Sequence, residues 1–85
     1  MSLTLSGAII SVEIARSALK HGITREQIVA ALRVPYRIAR IGDDRVLTIG
    51  STADGHLIEL VTVDPQDSPV VIHAMPLRAK FYRYL

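Results

Sequence analysis

The 85-residue sequence has no cysteine, and no apolar run approaches the roughly 20 residues that a transmembrane helix needs. Without cysteine, disulfides and thiolate metal sites are excluded, and a reducing cytoplasm is compatible with the composition. The first residues, Met1 to Leu3, lack the basic and apolar regions of a signal peptide. We therefore expect a cytoplasmic protein with no membrane association.

Basic residues are also missing from one long stretch, although the net charge is only +2. No lysine or arginine lies between Val46 and Leu77, where the charged side chains are acidic. The ten basic residues lie on either side of it: Arg16, Lys20, Arg25, Arg33, Arg37, Arg40, Arg45, Arg78, Lys80 and Arg83. This segregation can create a positive surface for a polyanion, or it can reflect ordinary solvated faces.

Two helices are predicted in the first part of the chain. Apolar residues recur three and four positions apart at Ile10, Ile14, Ala15, Ala18 and Leu19. That spacing predicts a helix over Ser11–His21, which Gly22 would end in a left-handed conformation. Thr24–Gln27 has the form of a capping box and predicts a second helix to Arg33.

Strands and turns are predicted after Pro35, which prevents the helix from continuing. The predicted strands are Tyr36–Ile41, Arg45–Gly50, His56–Val63 and Val70–Ala74. The turns between them are too short to join parallel neighbours. We therefore predict a single α+β domain over residues 1–85, with two N-terminal helices packed on a four-stranded antiparallel meander sheet. Residues 1–7 are expected to be partly disordered or a remnant of cloning.

One hydrophobic core is expected between the helices and the sheet, because a chain of this length supports no more than one. Its predicted members are Ile14, Ala18, Leu19, Ile28, Val29, Leu32, Leu47, Ile49, Leu60 and Ile72.

The C-terminal segment from Leu77 to Leu85 alternates cations with aromatic rings. The cations are Arg78, Lys80 and Arg83, and the rings are Phe81, Tyr82 and Tyr84. Cations bind phosphates and rings stack on unpaired bases, so the combination suits a single-stranded RNA surface. His73 beside these cations could act as a general acid or base. In the alternative reading, the rings pack on the sheet, the cations are solvated, and His73 is an ordinary strand residue.

The remaining polar residues are less informative. Lys20 and His21 could stabilise the end of the first helix or extend a phosphate-binding surface. His56 is expected to be exposed and without a role, and Asp43-Asp44 to form a turn. The three histidines have no ligand-like spacing, so we expect no metal site.

Three short motifs resemble those of one known protein family. The sequence Lys20-His21-Gly22-Ile23, followed by Thr24–Leu32, resembles the "KHGI/V-S-x-E" stretch of the BrnT-type toxins, which belong to the RelE-like ribonuclease superfamily of toxin–antitoxin systems. The end, Val71–Phe81, resembles the "HAMP-L-R-x-K" ending of small BrnT-like proteins. Arg45–Gly50 resembles their "R-x-L-x-I-G" strand.

This resemblance implies RNA binding, and metal-independent cleavage of mRNA, with no cofactor. The candidate catalytic residues are His73, Arg78, Lys80 and Tyr82, and the candidate RNA-binding residues are Lys20, His21, Arg45 and Arg83. The implied partners are RNA, including ribosome-associated mRNA, and a cognate antitoxin protein. Two alternatives remain: an RNA- or ribosome-binding domain without cleavage, and a non-enzymatic interaction module that binds a protein or forms a homodimer through a sheet edge.

Overall fold

The computed structural model describes the backbone of residues 2–5 and 8–85 and the side chains of residues 12–85. Its strands are β1 (Ser2–Leu5), β2 (Ala8–Ser11), β3 (Glu13–Ile14), β4 (Arg37–Gly42), β5 (Arg45–Ser51), β6 (Leu57–Val63) and β7 (Val70–Pro76). One α-helix, α1 (Arg25–Arg33), and two 3-10 helices, Arg16–Leu19 and Ala79–Tyr84, complete the described chain. The prediction for residues 1–7 as a whole stays a prediction, because residues 1, 6 and 7 lie outside the described part.

Five strands form a mixed sheet in the order β3-β7-β6-β5-β4. The four strands from β4 to β7 are antiparallel neighbours, whereas β3 pairs with β7 in parallel. β1 and β2 form a separate antiparallel pair. The predicted fold of two helices on a four-stranded antiparallel sheet is therefore wrong: the domain is α+β, with a five-stranded mixed sheet and one α-helix in its described part.

The predicted first helix over Ser11–His21 is where the fold prediction fails. Its first half is extended, and the backbone N–H groups of Glu13 and Ala15 donate to carbonyls at the edge of β7, at 3.0 and 2.9 Å. Within the predicted span, helical structure is limited to the four residues of the first 3-10 helix. The Ser17 hydroxyl connects this helix to β7 by donating to the Ile72 carbonyl at 2.5 Å. Pairing with a free strand edge thus satisfies backbone groups that a helix would have satisfied internally.

The second predicted helix is confirmed as α1. The backbone N–H of Gln27 donates to the Thr24 hydroxyl at 3.1 Å, and the Thr24 N–H donates to the Gln27 side-chain oxygen at 2.9 Å. This is the predicted capping box, which satisfies two N–H groups that the first turn leaves without partners. The helix ends at Arg33, before Pro35, as predicted.

The face of the sheet toward α1 carries the main core. Gly50 on β5 approaches the helix so closely that a Cβ atom there would lie 2.4 Å from the Cβ of Ala31. The buried members of this core are Val12, Ile14, Ala18, Ile23, Ile28, Ala31, Ile58, Leu60, Val71 and Ala74. Leu19, Val29 and Leu32, also predicted as core members, pack against it but are only partly buried.

The opposite face of the sheet is also buried at its centre. Leu47 pairs with Val61, Ile49 pairs with Glu59, and all four side chains are buried. Because side chains alternate along a strand, these four project from the face that does not carry Leu60. The predicted core positions Leu47, Ile49 and Leu60 are therefore confirmed, but they lie on two different faces.

A β-bulge in β7 explains why Ile72 is not a core residue. His73 pairs with Val61, but Val71 pairs with Thr62, so Ile72 is an additional residue without an opposite partner. A bulge of this kind changes which side chains project into the core. Val71 takes the buried position, Ile72 is half-buried, and the predicted burial of Ile72 is wrong.

Candidate functional site

A carboxylate is completely buried in the middle of the sheet. Glu59 lies at the centre of β6 between Ile49 on β5 and Met75 on β7, and its accessibility is 0%. Charged side chains are almost never fully buried unless they are paired. The partners of Glu59 therefore define the site.

Arg78 supplies three of the hydrogen bonds that Glu59 accepts. Its backbone N–H donates to Oε1 at 2.8 Å, and its guanidinium donates to Oε2 from Nε at 3.0 Å and from Nη2 at 2.6 Å. Arg78 is the second residue after β7, and the residue between them, Leu77, donates its backbone N–H to the Leu57 carbonyl at 3.0 Å. The C-terminal segment is thus attached to the sheet by two backbone N–H groups and one ion pair.

His73 supplies a fourth bond. Its Nε2 lies 2.9 Å from Oε2 of Glu59, and its side chain is 22% exposed. Because a carboxylate only accepts, Nε2 carries the proton, and Nδ1 is the acceptor nitrogen of the neutral ring. The exposed His21 ring meets His73 edge-on, with ring centroids 5.8 Å apart. We call Glu59, His73, Arg78 and His21 the Glu59 cluster.

The Glu59 cluster keeps its carboxylate ionised. Burial alone would raise the pKa of Glu59, but hydrogen bonds from Arg78 and His73 outweigh it and hold the pKa below its ordinary value. Hydrogen bonding to Glu59 in turn raises the pKa of Arg78. A permanently charged carboxylate can fix the tautomer and orientation of His73, as the buried acid of a catalytic triad does for its histidine.

The other predicted cations lie against aromatic rings. Lys80 Nζ lies 5.1 Å from the centroid of the Phe81 ring, and Arg78 Cζ lies 5.5 Å from the same centroid. Arg83 Cζ lies 5.1 Å from the Tyr84 centroid. Cations and rings of the tail thus contact one another within the second 3-10 helix, and Lys80 and Arg83 remain exposed.

Tyr82 does not join the Glu59 cluster. It is 56% exposed and lines a cavity of about 530 Å³ with Ile23, Leu57, Leu77 and other residues. The family resemblance implied that Tyr82 is a catalytic residue together with His73, Arg78 and Lys80. The structure instead assigns Tyr82 to a neighbouring cavity.

Lys20 and Arg45 occupy different parts of the molecule. Lys20 is exposed and directly precedes His21, so it adjoins the cluster. Arg45 pairs with Val63, four residues along β5 from Ile49, the neighbour of Glu59. That separation is about 13 Å at 3.3 Å per residue. Lys20 therefore lies beside the site and Arg45 away from it.

Glu59 is the residue that the sequence prediction missed. In the sequence it is one of several acidic residues between Val46 and Leu77. Its position in the run Leu57–Val63, where apolar residues occupy both faces of a strand, was a usable signal. An acid inside such a run must find a buried partner, because an unpaired buried charge is very costly.

The described part of the chain gives no sign of a metal centre or a membrane span. Among residues 12–85, no group of three histidine or acidic side chains comes close enough to hold an ion. None of the described helices has the length and apolar character needed to cross a bilayer.

No family model, curated protein or solved structure matches this chain. The BrnT resemblance therefore stays a prediction.

Proposed function

We propose that this protein binds RNA through the Glu59 cluster and the adjoining tail, and that it cleaves RNA without metal, as a cytoplasmic toxin-type endoribonuclease neutralised by a cognate antitoxin. The observation that carries the proposal is the hydrogen bond from His73 to the buried Glu59 carboxylate, at 2.9 Å. A histidine held through Nε2 and partly exposed can exchange a proton through Nδ1.

The proposed reaction is an internal transesterification. A histidine removes the proton of the ribose 2′-hydroxyl, and the oxygen attacks the adjacent phosphorus. The bond from phosphorus to the 5′-oxygen breaks, and a second acid protonates that oxygen. The products are a 2′,3′-cyclic phosphate and a free 5′-hydroxyl. His73 and His21 provide two imidazoles for these roles.

Stabilisation of the negative charge on phosphorus is assigned to the tail cations. Arg78 uses Nε and Nη2 to bind Glu59, and Nη1 has no partner among the described side chains. The Arg78 side chain is 40% exposed, so part of it can still face a phosphate. Lys80, two residues after Arg78, and Lys20, next to His21, are both exposed and would contribute further positive charge.

The test is cleavage of a labelled single-stranded RNA in the presence of EDTA. We expect His73→Gln to abolish cleavage while retaining RNA binding, because glutamine can still donate to Glu59 but cannot titrate. Arg40→Gln is the control, since Arg40 lies on β4, at the opposite edge of the sheet from β7, and its side chain donates to the Asp43 carbonyl. A 2′-deoxy linkage at the cleavage position should be resistant. Undiminished cleavage by His73→Gln would refute the assigned role.

A second candidate is a non-enzymatic interaction module, favoured by the edge strand β4. β4 pairs only with β5 in the described sheet. Ile38 within β4 is 62% exposed, and Tyr36, which directly precedes the strand, is 54% exposed. An edge with exposed apolar side chains can pair with a strand from another chain or from a second copy. If the protein binds RNA but never cleaves it, the enzyme is excluded, and the interaction module and the simple RNA-binding domain remain as candidate functions.

A further inference from the structure

The cavity that contains Tyr82 adjoins the Glu59 cluster along the chain, although Ile58 in its wall projects from the face of the sheet opposite to Glu59. Gly22, which follows His21, and Leu77, which precedes Arg78, both line it. Its volume of about 530 Å³ is within the range of roughly 300–1,000 Å³ that is typical of small-molecule sites. A ligand in the cavity would therefore lie next to Gly22 and Leu77, the sequence neighbours of His21 and Arg78 in the proposed phosphate site.

The lining of the cavity suits a planar aromatic group. Its walls are mostly apolar and include Ile23, Leu57, Ile58 and Leu77. Tyr82 is more than half exposed although it belongs to the cavity wall, so its ring is accessible to a ligand. Stacking of a nucleobase on an accessible ring is the usual way in which proteins hold unpaired RNA bases.

The lining contains no lysine or arginine among its described residues, and its one acid is Asp54. Phosphate therefore has no lysine or arginine partner in the cavity, whereas the tail provides three such cations outside it. The Thr52 hydroxyl donates to Asp54 Oδ1, and His56 Nδ1 lies 3.1 Å from Oδ2. The hydrogen bond from Thr52 is the main reason that the pKa of Asp54 lies below its ordinary value, so the carboxylate is charged at neutral pH.

An accepting carboxylate distinguishes the four bases. Each carboxylate oxygen has two acceptor positions, so Asp54 can accept from a ligand in addition to its present partners. Guanine presents two adjacent donors, N1–H and the N2 amino group, which match a carboxylate. Adenine and cytosine present one amino group beside a ring nitrogen lone pair, and uracil presents one N–H between two carbonyls. Gln27, whose side-chain oxygen is occupied by Thr24, has an amide N–H₂ available for the O6 of guanine.

We propose that this cavity is a base-recognition pocket for guanine, with Tyr82 stacking on the base and Asp54 accepting from its Watson–Crick edge. The inference rests on the proposed RNA binding and adds base specificity to it. It gives Tyr82 the stacking role, but at a site separate from His21 and His73.

The first test uses the unmodified protein and the four nucleoside 5′-monophosphates, with binding followed by backbone amide shifts in NMR spectra. We expect guanosine monophosphate to bind at least tenfold more tightly than the other three and to shift amides of Gly22, Gly55 and Leu77. Equal binding of all four nucleotides, or shifts confined to β4, would overturn the inference.

The second test separates stacking from edge recognition. We expect Tyr82→Ala to weaken binding of all four nucleotides, that of guanosine monophosphate by roughly tenfold, because base stacking is lost. Asp54→Asn should remove the preference for guanine. Tyr36→Ala is the matched control, because Tyr36 is equally exposed but lies beside β4. Unchanged nucleotide affinity in Tyr82→Ala would refute the stacking role.

The inference and the proposed function fail in different ways. If a guanine-free RNA and a guanine-containing RNA of equal length bind equally well, the function stands and the pocket does not. If guanosine monophosphate binds in the cavity but no RNA binds, the pocket stands as a nucleotide site and the function fails. If neither binds, both are wrong.

Discussion

Oε2 of Glu59 lies 2.6 Å from Nη2 of Arg78, a residue 19 positions later in the chain. The carboxylate is fully buried, whereas the guanidinium is partly solvated. The pair is therefore unequal: Glu59 depends on Arg78 for charge compensation, but Arg78 could be solvated without Glu59. This inequality makes different predictions for the loss of each partner.

We expect Arg78→Ala to lower the free energy of unfolding by about 2–4 kcal/mol. Loss of one partner of a buried ion pair typically costs about 3–5 kcal/mol, and partial solvation of Arg78 reduces that figure. Urea unfolding would measure it, with Arg83→Ala as the control in the same segment. The double variant Glu59→Met/Arg78→Ala should recover part of the loss, because no buried charge remains. A loss in Arg78→Ala no larger than in Arg83→Ala would contradict this account.

The pKa of Glu59 predicts how stability depends on pH. Its value in the folded protein lies below the ordinary value of 4.5, so the folded state binds the proton less readily than the unfolded chain does. The contribution of Glu59 to stability is therefore fully present above about pH 4.5 and is lost as pH falls through the lowered folded-state value. Melting temperatures of the parent and of Glu59→Gln, measured from pH 7 to pH 3, should converge toward low pH. A constant difference would show that ionisation of Glu59 does not stabilise the fold.

The contact between Gly50 and α1 predicts a large effect of one methyl group. In Gly50→Ala the new Cβ would lie 2.4 Å from the Cβ and 2.8 Å from the Cα of Ala31, so the helix must move. We expect a loss of about 1–3 kcal/mol, as for other overpacked cores. Gly42→Ala is the control, because its nearest atom would lie at 3.9 Å, an ordinary contact. Thermal unfolding of both variants would reveal the difference, and similar melting temperatures would mean that α1 tolerates the shift.

The elements with strong local signals were predictable. The capping box at Thr24 and Gln27 depends on side chains three residues apart, so it is visible in sequence and forms as predicted. In the N-terminal segment, the spacing of apolar residues fits both a helix and a strand. Ile10 and Ile14 suit one helix face, but Val12 and Ile14 also alternate with the exposed Glu13 as in a strand. The available edge of β7 favoured the strand, and that edge is a tertiary feature.

The candidate site was also predictable only in part, because some of its residues are brought together by tertiary structure. His73 and Arg78 were identified from their residue types and are indeed close, 3.4 Å apart at Nε2 and Nη2. Glu59, which joins them, lies 14 positions before His73 and reaches it through the β6–β7 pairing. The role of Tyr82 depends on where the second 3-10 helix directs its ring, which no local pattern specifies.

Salt dependence provides the final test of which cations contact RNA. Each lysine or arginine that neutralises a phosphate releases counterions, and its removal flattens the dependence of log affinity on log salt by about 0.7 per contact for single strands. Lys80 and Arg83 are exposed and contact rings of the tail rather than carboxylates. We therefore expect Lys80→Ala and Arg83→Ala each to weaken RNA binding and to reduce that slope. Arg40→Ala on β4 should change neither, because Arg40 lies on the far edge strand and donates to the Asp43 carbonyl. The measurement is fluorescence anisotropy of a labelled RNA at several salt concentrations. A slope lowered by Arg40→Ala, but not by Lys80→Ala or Arg83→Ala, would transfer the RNA-binding surface to the opposite edge of the sheet.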